Sequence, residues 1–156
     1  MDDEFKENYT KIFIEKLVDE NNDFKTSLII LRDEDKTTIF PVAVKPNSYK
    51  YLKNISNDIN YEERFLCDIV YDLDKPKRIV IALKNYEIES FYINKNNEKR
   101  LLNIIELMSF SIRYSIDIYI ENDLISAKSD EYISIDEDKK VDLYRLDSVQ
   151  FEDSKH

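Results

Sequence analysis

Glycine is absent from all 156 residues of this chain. That excludes the loops whose chemistry depends on a missing side chain: the phosphate-cradling P-loop, the dinucleotide-binding glycine fingerprint, the glycine-bracketed serine of a nucleophile elbow and the usual EF-hand loop. Turns must instead use Asn and Asp, which tolerate left-handed backbone better than other residues carrying a Cβ. Asn21-Asn22-Asp23 and Asn94-Lys95-Asn96-Asn97 are such clusters. Cysteine occurs once, as Cys67, so no internal disulfide supports the fold. Its apolar neighbours mark it as a small core residue, and no His or Cys partner stands by to activate it. The single histidine is His156, a poor position for a general base. No apolar run approaches the roughly 18–20 residues that span a bilayer. Met1-Asp2-Asp3-Glu4 is acidic where a signal peptide is basic. A cytoplasmic protein without a membrane partner is expected.

What is present is material for a core. Apolar residues make up 42% of the chain, including eleven Tyr and eight Phe, and 36% is charged. A single domain of this length buries roughly 68–70% of its unfolded surface. The net charge of −10 is uneven. Residues 1–120 hold 22 acids and 18 bases, and residues 121–156 hold 11 acids and 5 bases. A nearly balanced body therefore carries an acidic C-terminal segment, which opposes non-specific binding to phosphate backbones.

Periodicity predicts an acidic mobile arm over 1–8 and a three-strand meander over 9–18, 27–31 and 37–44. Asp33-Glu34-Asp35 reads as a hairpin turn within it. Helices are expected over 47–56, entered at Pro46, and over 62–72. The second buries Phe65, Leu66, Ile69, Val70 and Leu73 by their 3–4 spacing. A doubly buried strand over 78–83 turns at Asn85-Tyr86 into a second strand over 87–93. A long helix over 98–115 follows, N-capped by Asn97. A short strand over 116–120 and a turn of helix over 121–127 complete the body. In the tail, Asp136-Glu137-Asp138 reads as a solvated run, while Val141, Leu143, Tyr144, Leu146, Val149 and Phe151 are expected to dock a last helix or extended segment. The order βββ-α-α-ββ-α-β defines an α+β fold, with helices packed on a largely antiparallel or mixed sheet.

Four phrases in this order resemble the bifunctional nuclease domain family. Leu31-Arg32-Asp33-Glu34-Asp35 followed by Ile39-Phe40-Pro41-Val42-Ala43-Val44 is similar to its opening strand, acidic turn and strand. Arg78–Leu83 with Phe91-Tyr92-Ile93 is similar to its central hairpin. Arg113-Tyr114-Ser115-Ile116-Asp117-Ile118-Tyr119-Ile120 resembles the passage after its main helix, and Leu146-Asp147-Ser148-Val149-Gln150-Phe151-Glu152 its close. The resemblance covers about 9–153. It implies a nuclease-like domain over 9–127, nuclease action on DNA or RNA, and a homo-oligomer; charge and apolar content set 128–156 apart as an acidic, partly docked segment. The family's Arg-Pro-Ser-Asp-Ala run falls on Asn103, Ile104, Ile105, Glu106 and Leu107, and its Thr-His-Asp on Glu62, Glu63 and Arg64. Of the first run only the acidic position survives, and the His of the second is lost. Asp68 matches a further acidic position.

Phosphodiester cleavage needs an activated nucleophile and neutralisation of the phosphate, often with metal-bound water. With the family's Arg and His replaced, chemistry passes to carboxylates holding Mg²⁺ or Mn²⁺. The catalytic candidates are Glu106, Asp68 and Arg113, with Asn103, Glu106 and Arg113 along one polar stripe of the long helix. The metal candidates are Glu106, Asp68 and Asp72, the last two at i and i+4. Nucleic-acid contacts fall to Lys95, Lys99 and Arg100, with Lys75, Lys77 and Arg78 as a second basic cluster. Each group also fits an ordinary solvated face. Two further functions stand beside the nuclease. One is a non-catalytic module that keeps the fold and binds a protein through exposed aromatics drawn from Tyr49, Tyr51, Tyr86 and Tyr92. The other is a nucleic-acid mimic acting through 128–156.

Overall fold

The computed structural model describes residues 7–19, 26–35, 39–85, 87–125, 131–138 and 141–145. Strands β1 (Tyr9–Val18), β2 (Ser27–Asp33) and β3 (Ile39–Val44) form the expected meander. Helices α1 (Pro46–Asn57) and α2 (Leu66–Asp74) follow, then β4 (Pro76–Lys84), β5 (Glu87–Asn94) and the short β6 (Lys99–Leu101). Helix α3 (Ile104–Tyr114) leads into β7 (Asp117–Glu121), the one-turn α4 (Asn122–Ile125), β8 (Glu131–Asp136) and β9 (Val141–Arg145). The strands join one mixed sheet in the order β6-β5-β4-β7-β1-β2-β3-β8-β9. Pairing is antiparallel except for β4 with β7 and β3 with β8. The fold is α+β with helices packed on a sheet, as the element order predicts.

The large core lies between the sheet and the helices. Ile12, Ile29, Leu31, Phe40, Ile79, Ile81 and Ile118 from the strands meet Leu52, Cys67, Leu107, Met108 and Phe110 from α1, α2 and α3. Two smaller clusters, Val18-Leu28-Ile30 and Val80-Ala82-Phe91, form apart from it. The strand over 78–83 is therefore buried on both faces, since Ile79 and Ile81 enter the large core while Val80 and Ala82 enter a small one. Among the described residues no helix is long and apolar enough to cross a membrane.

Three element boundaries differ from expectation, each for a tertiary reason. The long helix does not begin at 98. Lys99, Arg100 and Leu101 pair with Ile93, Tyr92 and Phe91 as a strand. The turn before them is built on Asn94, fully buried, whose side-chain oxygen accepts the Asn96 and Glu98 N–H groups at 3.0 and 2.9 Å. Asn97 is not a cap; Asn103 is, accepting the Glu106 N–H at 2.9 Å. Helix α2 starts at 66 rather than 62, because Asp58 accepts the Glu62 and Glu63 N–H groups and folds them into a loop. The sheet also continues past 127, because β8 pairs with β3 and β9 with β8. Leu146, Val149, Phe151 and the rest of 146–156 lie outside the described residues, as do the arm over 1–6 and Tyr86.

Without glycine, the ends of α2 and α3 use other residues in the left-handed region. Lys75 closes α2 at φ 51° and Ser115 closes α3 at φ 57°. Each returns its N–H to the helix, to the Tyr71 and Ser111 carbonyls at 3.1 and 2.9 Å.

Candidate functional site

Helices α2 and α3 pack against each other beside the loop over 58–65. Arg113, one residue before the end of α3, points into this junction and is 6% exposed. Its Nε–H donates to Asp68 Oδ1 at 3.1 Å. One terminal nitrogen donates to the Asp58 carbonyl at 3.1 Å and the Asp58 carboxylate at 2.9 Å. The other donates to the Glu63 carbonyl at 2.8 Å and to Asp68 Oδ2 at 3.4 Å. A guanidinium has five N–H donors, and all five are spent inside the domain. Asp68 also accepts the Phe65 N–H at 2.7 Å and the Tyr114 hydroxyl.

This clasp organises its surroundings. Burial pushes the Asp68 carboxyl upward, but the Phe65 N–H, the Tyr114 hydroxyl and the Arg113 guanidinium outweigh it and hold the group below its ordinary value. Asp58 is lowered likewise, desolvation being overcome by the Glu63 N–H, the Arg113 guanidinium and the Glu62 N–H. The Arg113 pKa is raised despite burial by its hydrogen bonds to Asp68 and Asp58. Tyr61 sits at φ 56°, a region costly for a bulky side chain. It is held there because its ring lies 4.1 Å from the guanidinium carbon and its hydroxyl donates to the Arg113 carbonyl at 3.0 Å. Tyr71 stacks on Tyr114 at 3.9 Å between ring centres.

Glu106 stands elsewhere. It lies two turns before Arg113 on α3, about 10 Å along the axis. Its half-buried carboxylate accepts the Tyr51 hydroxyl at 3.0 Å. Burial pushes the Glu106 carboxyl up, and hydrogen bonds from Tyr51 and Ser109 offset this only in part. Glu106 opens on a cleft of about 450 Å³ between the starts of α1 and α3, lined also by Ser48, Asn103, Glu137 and Asp138. Glu137 is not merely a solvated acid. Lys45, at the N-cap of α1, makes no capping bond of its own. The Glu137 carboxylate supplies one from the turn after β8, accepting the Lys45 N–H and, at 2.9 Å, the Ser48 hydroxyl. Asp138 pairs with the Lys45 ammonium at 3.4 Å.

The structure thus brings Asp68 and Arg113 together and leaves Glu106 on a separate cleft. The expected polar stripe of Asn103, Glu106 and Arg113 is broken, since Asn103 is exposed, Glu106 half-buried and Arg113 buried. Asp72 does not join Asp68; it pairs at the surface with Arg64 at 2.8 Å. Among the described residues no three His, Cys, Asp or Glu side chains form a group that could hold a metal ion. Lys99 pairs with Glu89, and Arg100 lies 3.5 Å from Asp74 and 3.2 Å from Glu98. Lys95 is exposed beside them. Of the expected aromatic patch, Tyr92 is buried and donates to Asp74 at 2.6 Å, with burial and that bond pushing its pKa up to about 12. Tyr49 and Tyr51 pack on the core.

Periodicity alone misplaced one face. Leu66, Ile69 and Leu73 on α2 were expected inside, but they are 49%, 42% and 79% exposed. The residues α2 buries are Cys67 and Asp68. The helix is rotated so that a carboxylate faces in and an apolar i, i+3, i+7 stripe faces out. The only sequence signal for this was Asp68 itself, at the third helical position, where a carboxylate caps the preceding N–H.

The chain matches no protein-family model, and no curated protein matches it.

Proposed function

We propose that the domain is a non-catalytic protein-interaction module, with the outer face of α2 as its docking surface and a second copy of the chain as the occupant. The orientation of α2 carries this. Leu66, Ile69 and Leu73 leave about 1.7 side chains' worth of apolar surface in water. Burying it is worth about 2.5–5 kcal/mol per copy. The flanking charges suit a two-fold, antiparallel pairing of the same helix. The Glu62 and Glu63 carboxylates before α2, and Lys75 after it, have no ion-pair partner among the described residues. Antiparallel helices bring the acids of one copy toward the lysine of the other and oppose their dipoles. The loss of free chemical groups supports the same function, since Arg113 has no donor left for a phosphate.

The two copies together contribute about 5–10 kcal/mol and association costs at least about 4 kcal/mol, so these side chains alone support a weak dimer, with Kd no tighter than roughly 40 µM. Sedimentation equilibrium from there to about 1 mM tests it. The full chain should dimerise, and Leu73→Glu should be monomeric with unchanged circular dichroism. A wild-type chain monomeric at about 1 mM defeats the proposal.

A second function, metal-dependent nuclease action on DNA or RNA as the family resemblance implies, is favoured by one observation. Glu106 is a half-buried carboxyl of raised pKa on an open cleft, a common property of catalytic acids. Cleavage of single- or double-stranded substrates with Mg²⁺ or Mn²⁺, abolished by Glu106→Ala, would establish it. No cleavage with any divalent metal would end it.

A further inference from the structure

Strand β1 has ten residues and its neighbour β7 has five. Their pairing runs from Tyr9 opposite Glu121 to Ile12 opposite Ile118, and there β7 ends its ladder. From Phe13 to Leu17, β1 is paired only with β2. On the other side these residues have no paired strand residue among the described residues. The register of β1 on β2 slips between Ile14 and Lys16, a bulge that re-aims the chain at this point. A short length of open sheet edge therefore lies inside the molecule's outline, not at either end of the sheet.

This edge forms one wall of a groove of about 690 Å³. Ile112 and Ile116 form an apolar wall facing it, and the ends of α1 and α3 close the rim with Lys53, Ser56, Ser111 and Ser115. The charges on the groove divide cleanly. Glu15 is neutralised by Arg32, and Asp117 by Lys11 at 3.4 Å. Lys16 and Lys53 have no acidic partner among the described residues, and the three serine hydroxyls donate to no protein group there. Two uncompensated cations thus line one groove in a chain of net charge −10.

We propose that this groove binds an extended, acidic peptide segment of a partner protein, taken up as an added strand on the free edge of β1. An open strand edge presents alternating N–H and C=O groups, which an extended backbone satisfies and a compact small molecule does not. Five residues of edge span about 17 Å, enough for the core of a short linear segment. Alternate side chains of the peptide face Ile112 and Ile116 on the helix side, beside Lys53, and the acidic side chains between them lie on the opposite face of the sheet with Lys16. This surface is separate from the α2 face, so the two stand or fall independently.

Fluorescence anisotropy on the full chain tests it, with labelled peptides of about eight residues that alternate valine with glutamate or valine with lysine. The glutamate peptide should bind saturably and the lysine peptide at least about tenfold more weakly. N-methylation of alternate amides in the glutamate peptide should cost at least about tenfold, because it removes the ladder donors. The Lys16→Glu/Lys53→Glu variant should reverse the preference, and binding should slow amide exchange within 13–17. Leu73→Glu should bind as the wild type does. Absence of saturable binding overturns the proposal. So does binding indifferent to N-methylation, which is adventitious charge attraction, and so does protection that falls on α2 instead of β1.

Discussion

Replacing Arg113 with alanine would remove five N–H donors at once from a junction that has no water-facing alternative for its carboxylates. Asp68 is 5% exposed and would keep only the Phe65 N–H and the Tyr114 hydroxyl. Removing one partner of a buried ion pair costs about 3–5 kcal/mol, against a total stability of about 5–15 kcal/mol. At this chain length that is a fall in Tm of very roughly 6–20 °C. Tyr61 loses the ring contact that offsets its left-handed backbone, so the loss should lie toward the upper end. Arg113→Lys keeps the charge with three donors in place of five and should lose less. The chain has no tryptophan, so urea unfolding is best followed by far-ultraviolet circular dichroism. Asp68→Asn should cost less in the Arg113→Ala background than in the wild type, with a coupling energy of about 1–3 kcal/mol. The folded state holds the Asp68 carboxyl below its unfolded value near 3.9, so the clasp is fully present above that pH. It is lost as pH falls through the lower folded value, and the gap between wild type and variant should close in acid. A loss below about 0.5 kcal/mol for Arg113→Ala would place the residue at the surface and refute the reasoning.

Glu106 should show the opposite pH dependence. Burial raises its pKa in the folded state, so its contribution is favourable below its unfolded value near 4.3 and is lost as pH rises through the folded value. Glu106→Gln, which still accepts from Tyr51, should raise the Tm at pH 7, with the gain vanishing toward pH 4; a pH-independent difference would contradict this. Cys67 is fully buried and burial pushes its thiol pKa up, so it should resist aromatic disulfide reagents until urea unfolds the domain; rapid reaction in the native state would count against the packing. Asn94→Ala should cost about 1–3 kcal/mol in urea unfolding, because it strips the Asn96 and Glu98 N–H groups and Asp74 of their buried partner. A neutral result would show the 94–98 turn to be held by the strands alone.

Much of the fold was legible in the chain because its strands and helices bury faces set by local periodicity. The meander over 9–44, the Pro46 helix start and the doubly buried strand over 78–83 all follow from spacing and β-branching within a few residues. The site was less legible, because its contacts join distant positions. Arg113 meets Asp68 and Asp58 across 45 and 55 residues, and nothing local to α3 marks it as buried. Its place at the end of an amphipathic pattern read as solvent-facing because a guanidinium enters a core only when five acceptors wait there. Three of those acceptors came from a loop whose shape no periodicity describes, and two from Asp68 on α2. The same clasp decided the orientation of α2. Rotating Leu66, Ile69 and Leu73 inward would turn Asp68 away from Arg113 and leave a buried cation unpaired, a penalty of about 3–5 kcal/mol that offsets the about 2.5–5 kcal/mol gained from the apolar stripe. Composition alone determined that this chain lacks the glycine-dependent nucleotide loops. Tertiary structure decided which carboxylates are consumed and which faces stay open, because burial and hydrogen-bond saturation belong to neighbours in space.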